Sequence, residues 1–295
     1  MAHPGIDVIR QLFGEDTTTF TTIQQRRADL AALAGSPPAP DGVSVEVTTL
    51  GDRPAERLVP DGAPDDAVVL YLHGGAYCSG SLDTHRGVAG ALALASGTTV
   101  VTLDYRLAPE DPFPAALNDA LLAFDQLAPA RVAIAGDSAG GGLAVATALA
   151  LRDRGGAVPT ALVLFSPWTD LTLSQESATS RAAADPMVTA SVLLEMADAY
   201  LAGTDERSPL ASPLFGDLTG LPPMHVDVGD DEVLLDDSTV LVERAKAAGV
   251  DATVRVWPDM IHVFQCFPPE MVPEAAESLA AAGAFLDRHL SPVAS

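Results

Sequence analysis

Ser138 is set where its hydroxyl could act as a nucleophile. Residues 131–135 read as a short buried strand. Residues 141–154 read as a helix, with Leu143, Val145, Ala146, Leu149 and Ala150 at helical spacing. Between them stands Gly136-Asp137-Ser138-Ala139-Gly140. A Gly-x-Ser-x-Gly in that setting is a nucleophile elbow, a sharp turn that holds the serine hydroxyl out above a sheet. The turn forces Ser138 into a strained backbone conformation, and a side chain at 136 or 140 would crowd the neighbouring strand and helix. Ser138 also sits at a helix N-terminus, whose free N–H groups favour developing negative charge.

A serine hydroxyl is nearly inert until a base takes its proton, so Ser138 requires a histidine. The chain has six. His3 lies near the N-terminus and His289 in the last helical stretch; His225 opens an apolar strand; His73 and His85 flank a glycine loop. His262 lies in Trp257-Pro258-Asp259-Met260-Ile261-His262-Val263-Phe264, a loop after the last strand and before the last helix. That is the place of the base when nucleophile, acid and base follow one another along the chain. The base in turn needs a carboxylate to fix its tautomer and to stabilise the imidazolium. The segment Val226-Asp227-Val228-Gly229-Asp230-Asp231-Glu232-Val233-Leu234-Leu235-Asp236-Asp237 offers six. Asp227 falls within a strand, facing solvent or paired locally, and Asp236 and Asp237 begin or cap the following helix. Asp230, Asp231 and Glu232 are left in the loop past the strand, and the physics of the sequence does not separate them. Tyr71-Leu72-His73-Gly74-Gly75-Ala76-Tyr77 follows another apolar run and supplies flexible backbone. With the N–H of Ala139, such a loop forms an oxyanion hole, each donor of which typically contributes about a hundred- to a thousandfold in rate.

These groups need a scaffold that brings distant loops to one rim. Continuous apolar runs recur at 68–72, 98–103, 132–135, 161–165, 226–228 and 253–257, without the alternation of a half-exposed strand. They read as parallel strands buried on both faces. Helical segments at 86–95, 114–126, 141–154, 234–248 and 273–290 intervene or follow, which describes an α/β fold with a mostly parallel sheet between two helical layers. Chemistry in such sheets gathers at the carboxyl ends of the strands. Residues 43–50 alternate as an exposed antiparallel strand would, with 55–59 as partner. Residues 6–34 carry Val8, Ile9, Leu12, Phe13, Ile23, Leu30 and Leu33 at helical spacing and are cut off by Ser36-Pro37-Pro38-Ala39-Pro40-Asp41-Gly42. The stretch 181–215, with a helix over 188–201, interrupts the alternation and reads as an insertion placed to act as a lid. One domain over 1–295 is expected, with 1–40 and 181–215 as its cap segments. There is no internal repeat.

Composition narrows the remaining classes. The chain has 295 residues, 48% of them hydrophobic, ample for a large core. No apolar run approaches the roughly eighteen residues of a membrane span, and Met1-Ala2-His3-Pro4 opens no secretory signal, so a cytoplasmic location is expected. Forty acidic residues against sixteen basic give a net charge of −24, and Lys246 is the only lysine. Nucleic acids and anionic membranes are therefore not expected as partners, since both require a positive face. The imbalance fits a soluble protein from an arginine-preferring genome, or adaptation to high salt. Cys78 and Cys266 cannot form a disulfide framework and read as two small buried thiols, both near the motifs above.

Taken together, the motifs resemble those of the bacterial hormone-sensitive-lipase-like esterases of the α/β-hydrolase superfamily, in the subgroup with a Gly-Asp-Ser-Ala-Gly elbow. The resemblance runs over most of the chain. It includes His73-Gly74-Gly75-Ala76-Tyr77, Ser81-Leu82-Asp83-Thr84-His85-Arg86 and Asp104-Tyr105-Arg106-Leu107-Ala108-Pro109-Glu110. It continues through Phe113-Pro114-Ala115-Ala116, the elbow, Ser166-Pro167-Trp168 and the loop from Asp259 to Phe264. It implies an α/β-hydrolase fold and hydrolysis of short- to medium-chain carboxylic esters, with a small-molecule substrate and no cofactor or metal. By the family's spacing of acids the triad becomes Ser138, His262 and Glu232, with Asp231 in reserve, and the oxyanion donors become Gly74, Gly75 and Ala139. Ala76 stands where many relatives have a third glycine. The resemblance further implies a cap over the acyl pocket, whose depth depends on side chains such as Met187, Leu193 and Leu194, and dimers that pair the last edge strand, here 252–257. The same scaffold serves lactone hydrolases, amidases and deacetylases. In plant gibberellin receptors it binds ligand without catalysis, but those lack the histidine that stands here at 262.

Overall fold

The computed structural model describes residues 4–14, 22–128 and 130–292. Its framework is a sheet of eight strands among those residues: β1 (Val43–Leu50), β2 (Arg53–Pro60), β3 (Ala67–Leu72), β4 (Thr99–Leu103), β5 (Arg131–Asp137), β6 (Leu162–Phe165), β7 (Met224–Gly229) and β8 (Ala252–Trp257). Their spatial order is β1-β2-β4-β3-β5-β6-β7-β8. β1 and β2 form a hairpin about Gly51 and Asp52, both at positive φ (57° and 64°), as a two-residue turn matched to strand twist requires. β2 lies antiparallel to β4, and every later pairing is parallel.

The unbroken apolar runs have the expected physical cause in the middle of the sheet but not at 253–257: β8 is the edge strand, and Thr253, Arg255 and Val256 are exposed, so it is not buried on both faces. Every residue of β3, β4 and β6 is buried, because helices cover both faces. Val69 and Tyr71 meet α3 (Leu82–Ser96) and α9 (Pro273–Leu290) on one face. Leu70 and Leu72 belong to the larger core on the other face, with α4 (Ala115–Leu127), α5 (Ala139–Asp153) and α8 (Leu235–Ala247). Most boundaries fall within two residues of those read from periodicity. The exception is α3, which starts four residues before 86. There Ser81 Oγ accepts the N–H of Thr84 (3.3 Å) while Thr84 Oγ1 accepts that of Ser81 (2.9 Å), a capping box that apolar spacing does not reveal.

The single helical reading over 6–34 divides into α1 (Pro4–Gly14) and α2 (Ile23–Ala34), and its part over 15–21 lies outside the described residues, as does His3. The two are attached differently. α1 buries Ile6 and Ile9 in a satellite cluster with Trp257, Met260, Ile261 and Phe264. α2 buries no residue. The insertion carries α6 (Ser177–Ser180) and α7 (Ala190–Leu201); Leu193, Met196 and Tyr200 of α7 join the large core. Met187 is half-buried, and Leu194 is exposed rather than packed inward. Cys78 is buried with its thiol toward the Met196 carbonyl, whereas Cys266 is exposed, which corrects the reading of two buried thiols; both are free.

Candidate active site

Ser138 follows β5 and precedes α5 with φ 51° and ψ −122°, the strained turn expected of an elbow. The flanking glycines have a measurable reason. A Cβ at 136 would lie 2.5 Å from the Gly140 carbonyl oxygen and 2.7 Å from that of Leu72; at 140 it would lie 2.0 Å from Leu72 O and 2.5 Å from His73 O. The N–H of Ser138 donates to the Phe165 carbonyl (2.9 Å), and its own carbonyl accepts from Trp168 (2.8 Å), so the turn is pinned to the next strand and its loop.

Three loops at the carboxyl ends of β5, β7 and β8 converge here. His262 Nε2 lies 3.0 Å from Ser138 Oγ, and its Nδ1 lies 2.7 Å from Glu232 Oε2. A carboxylate can only accept, so Nδ1 carries the proton and Nε2 is the acceptor facing the serine hydroxyl. Glu232 is fully buried. Its other oxygen accepts from Ser166 Oγ and from the N–H of Gly229, both at 2.6 Å. The Ser166 hydroxyl also accepts the Val263 N–H (3.2 Å), tying the acid to the residue after His262. Burial by itself lowers the pKa of His262. The hydrogen bond and charge of Glu232, then the charges of Asp185 and Asp137, outweigh it, and the net shift is upward from 6.5.

Geometry separates the three acids that the physics of the sequence left together, and it sets against His262 the one that the resemblance favoured. Asp231 turns away and pairs with Arg10 of α1, and Asp230 accepts the Asp259 N–H (2.7 Å), leaving Glu232 against the imidazole. Asp227 is buried and paired with Ser278 (2.6 Å) and His225 (3.2 Å). Asp236 and Asp237 lie in the first turn of α8, but Asp237 does more than begin a helix. It accepts the N–H groups of Thr169 (2.6 Å) and Asp170 (2.8 Å), and burial pushes its pKa up to about 8.

The glycine loop departs from expectation at one position. The Gly74 N–H is already engaged, by Asp137 Oδ1 (3.1 Å) with His85 Nε2 at 3.3 Å. Among the described residues, the N–H groups of Gly75, Ala76 and Ala139 have no such acceptor. Asp137, inside the elbow, is the hub behind this loop: Tyr71 Oη also donates to it (2.8 Å), and His85 Nε2 lies 3.4 Å from its other oxygen. Burial raises the pKa of Asp137, but His85 and these hydrogen bonds outweigh it and the net shift is downward. His73 stacks on Tyr105 with ring centroids 4.2 Å apart, and burial, with His85 nearby, lowers its pKa to about 3, so it is neutral.

Comparison with known proteins agrees with this arrangement. The alpha/beta hydrolase fold family matches residues 69–266. An acetyl-hydrolase of Streptomyces hygroscopicus is 44% identical over 97% of this chain and 97% of its own. The crystal structure of an esterase from the bacterial hormone-sensitive lipase family superposes with a TM-score of 0.94 at 43% identity, covering 99% of this chain and 100% of that one. The chain belongs to the bacterial hormone-sensitive-lipase family of α/β-hydrolase-fold esterases. Within this family, carboxylesterase NlhH of Mycobacterium tuberculosis is 34% identical over 98% of both chains. This esterase therefore hydrolyses carboxylic esters of small molecules, and it is a serine hydrolase.

Some supporting groups of the esterase site were not assigned by sequence reading. Asp137 and Ser166 stood inside quoted motifs, yet their partners lie 66 residues away in each case, at Tyr71 and Glu232. Asp185 accepts the N–H of Val233, next to Glu232 (3.0 Å), and burial raises its pKa; the adjacent proline was its only signal. Among the described residues no helix is long and apolar enough to cross a membrane, and no group of three or more His, Cys, Asp or Glu could hold a metal ion.

Proposed function

We propose that Ser138, His262 and Glu232 carry the esterase reaction through an acyl-enzyme intermediate. The observation that carries this reading is the hydrogen-bonded series from Ser138 Oγ through the imidazole to Glu232, at 3.0 and 2.7 Å. His262 Nε2 takes the hydroxyl proton as Oγ attacks the ester carbonyl carbon. Glu232 stabilises the resulting imidazolium, which then protonates the leaving alcohol. Water attacks the acyl-enzyme with the same imidazole as base, and the acid is released. The oxyanion is held by Gly75 and Ala139, with Ala76 in place of Gly74, whose N–H is engaged by Asp137. Replacing Ser138 with Ala abolishes turnover of p-nitrophenyl butyrate and labelling by a fluorophosphonate while leaving the fold intact. Unaffected turnover overturns the assignment.

The substrates are short- to medium-chain acyl esters, which the relative named acetyl-hydrolase supports at the short end. An acyl-length series that rises beyond medium chains would refute this. We read the chain as one domain with residues 1–40 and 181–215 as its cap, supported by the packing of α1 and Met187 over the His262 loop. A homodimer through β8 is supported by that strand's place at the sheet edge with Val256 exposed; a monomer by light scattering at micromolar concentration excludes it. A cytoplasmic location suits two unpaired cysteines, and cell fractionation is its test.

A further inference from the structure

α1 presents Ile6, Ile9 and Arg10 on one helical face, at i, i+3 and i+4. The isoleucines are 1% exposed each and join a cluster with Met260, Ile261 and Phe264, which precede and follow His262 in the chain. Arg10 then reaches three different segments with one guanidinium. It donates to the Ala184 carbonyl of the insertion (3.2 Å) and to the Asp259 carbonyl of the base loop (3.0 Å), and it forms an ion pair with the Asp231 carboxylate of the acid loop. Asp259 lies three residues before His262, and Asp231 lies immediately before Glu232. The two loops have ties of their own, from Asp231 N–H to Met260 O (3.2 Å) and from Asp259 N–H to Asp230 (2.7 Å). Arg10 adds a charged bridge on their outer side. A planar five-donor fork can span acceptors in separate segments, which a lysine ammonium on a flexible stem cannot do in one fixed geometry.

We infer that Arg10 is a positioning residue, which holds the acid and base loops in the register that keeps Glu232 on His262 and makes the docking of α1 part of catalysis. This rests on the proposed roles of Glu232 and His262. The imidazole must meet both the carboxylate and the serine hydroxyl, so a small change in loop spacing acts on the chemical steps rather than on substrate binding. Arg10 touches neither substrate nor the reacting atoms.

The test measures kcat and KM for p-nitrophenyl butyrate in Arg10→Ala, Arg10→Lys, Asp231→Asn and the double variant Arg10→Ala with Asp231→Asn, beside Glu232→Gln. Arg10→Ala is expected to lower kcat about tenfold with KM within about twofold. Arg10→Lys should recover part of kcat. Asp231→Asn should reproduce most of the loss, and the double variant should be no worse than Arg10→Ala. An unchanged kcat in Arg10→Ala, a loss confined to KM, or losses that multiply in the double variant would overturn the proposal. If Arg10→Ala fails to fold, Arg10→Lys and Asp231→Asn decide it, and wild-type kcat in both refutes it. Glu232→Gln keeps the two readings apart. Full activity there removes the triad assignment, whereas an inactive Glu232→Gln beside a fully active Arg10→Ala removes only the role of Arg10.

Discussion

The elbow and the helix α2 are held in place by different physical means. The elbow and the carboxyl ends of β3, β5 and β6 are fixed by exclusion: backbone oxygens 2.0 to 2.7 Å from where a Cβ would stand, and strands with every residue buried. Of the N-terminal helices, α2 is held mainly by polar and charged contacts. α2 buries no side chain, and Arg27 attaches it by donating to the carbonyls of Cys78 (2.7 Å) and Ala108 (2.9 Å) and to both oxygens of Glu110 (2.7 and 3.0 Å). α1 combines a small apolar cluster with Arg10. Close packing leaves no intermediate position and responds little to salt, whereas exposed ion pairs weaken as salt screens them. Ser138 thus stands on a rigid base, whereas the attachment of α2 is one that solution conditions can loosen.

This contrast can be broken in several places. The largest effect belongs to Glu232→Gln, which should lower kcat by on the order of a thousandfold or more, because the wrong tautomer of His262 then faces Ser138. A loss below about tenfold in single-turnover measurements would move the acid elsewhere. Gly140→Ala should destabilise by about 3 kcal/mol, with activity falling too, since its Cβ meets two backbone oxygens that cannot yield. Denaturant melts check this, and wild-type stability would show that the elbow is softer than described. The pH profile comes next. His262 must be neutral to act as base and its pKa is shifted up from 6.5, so the acid limb of kcat/KM should lie above that value. By linkage, the same upward shift adds stability on the acid side that is lost as pH rises through the folded-state pKa. An acid limb below 6.5 contradicts the coupling to Glu232. The smallest effect is expected on α2. Arg27→Ala should lower melting stability by about 1 kcal/mol at low salt and by less in molar salt, the pair with Glu110 being half-exposed. An equal loss at both salt concentrations would mean that packing, not charge, holds α2.

Much of the fold was legible because its signals are local. Apolar runs without alternation marked the parallel strands, and the elbow showed itself as two glycines around a serine between a strand and a helix. His262 stood out by its place after the last strand. Signals failed where polar hydrogen bonds set the geometry. The start of α3 depends on a capping box between Ser81 and Thr84, which no apolar period encodes. Gly74 matched the oxyanion loop as well as Gly75 did, and only the carboxylate of Asp137, 63 residues on, decides where its N–H points.

The order of strands and helices and the elbow around Ser138 were legible in the sequence alone, because each rests on sterics or periodicity within a few consecutive residues, and His262 was singled out as the candidate base by its order in the chain. Glu232 was preferred to Asp231 only through the family's spacing of acids, and the physical reason for that preference lies in the tertiary structure. Adjacent loop residues point to opposite sides, and the side that meets His262 is set by a base loop 30 residues away and by Arg10, 221 residues from Asp231. Such contacts are made by direction in space, which the spacing of residue types along a chain does not carry.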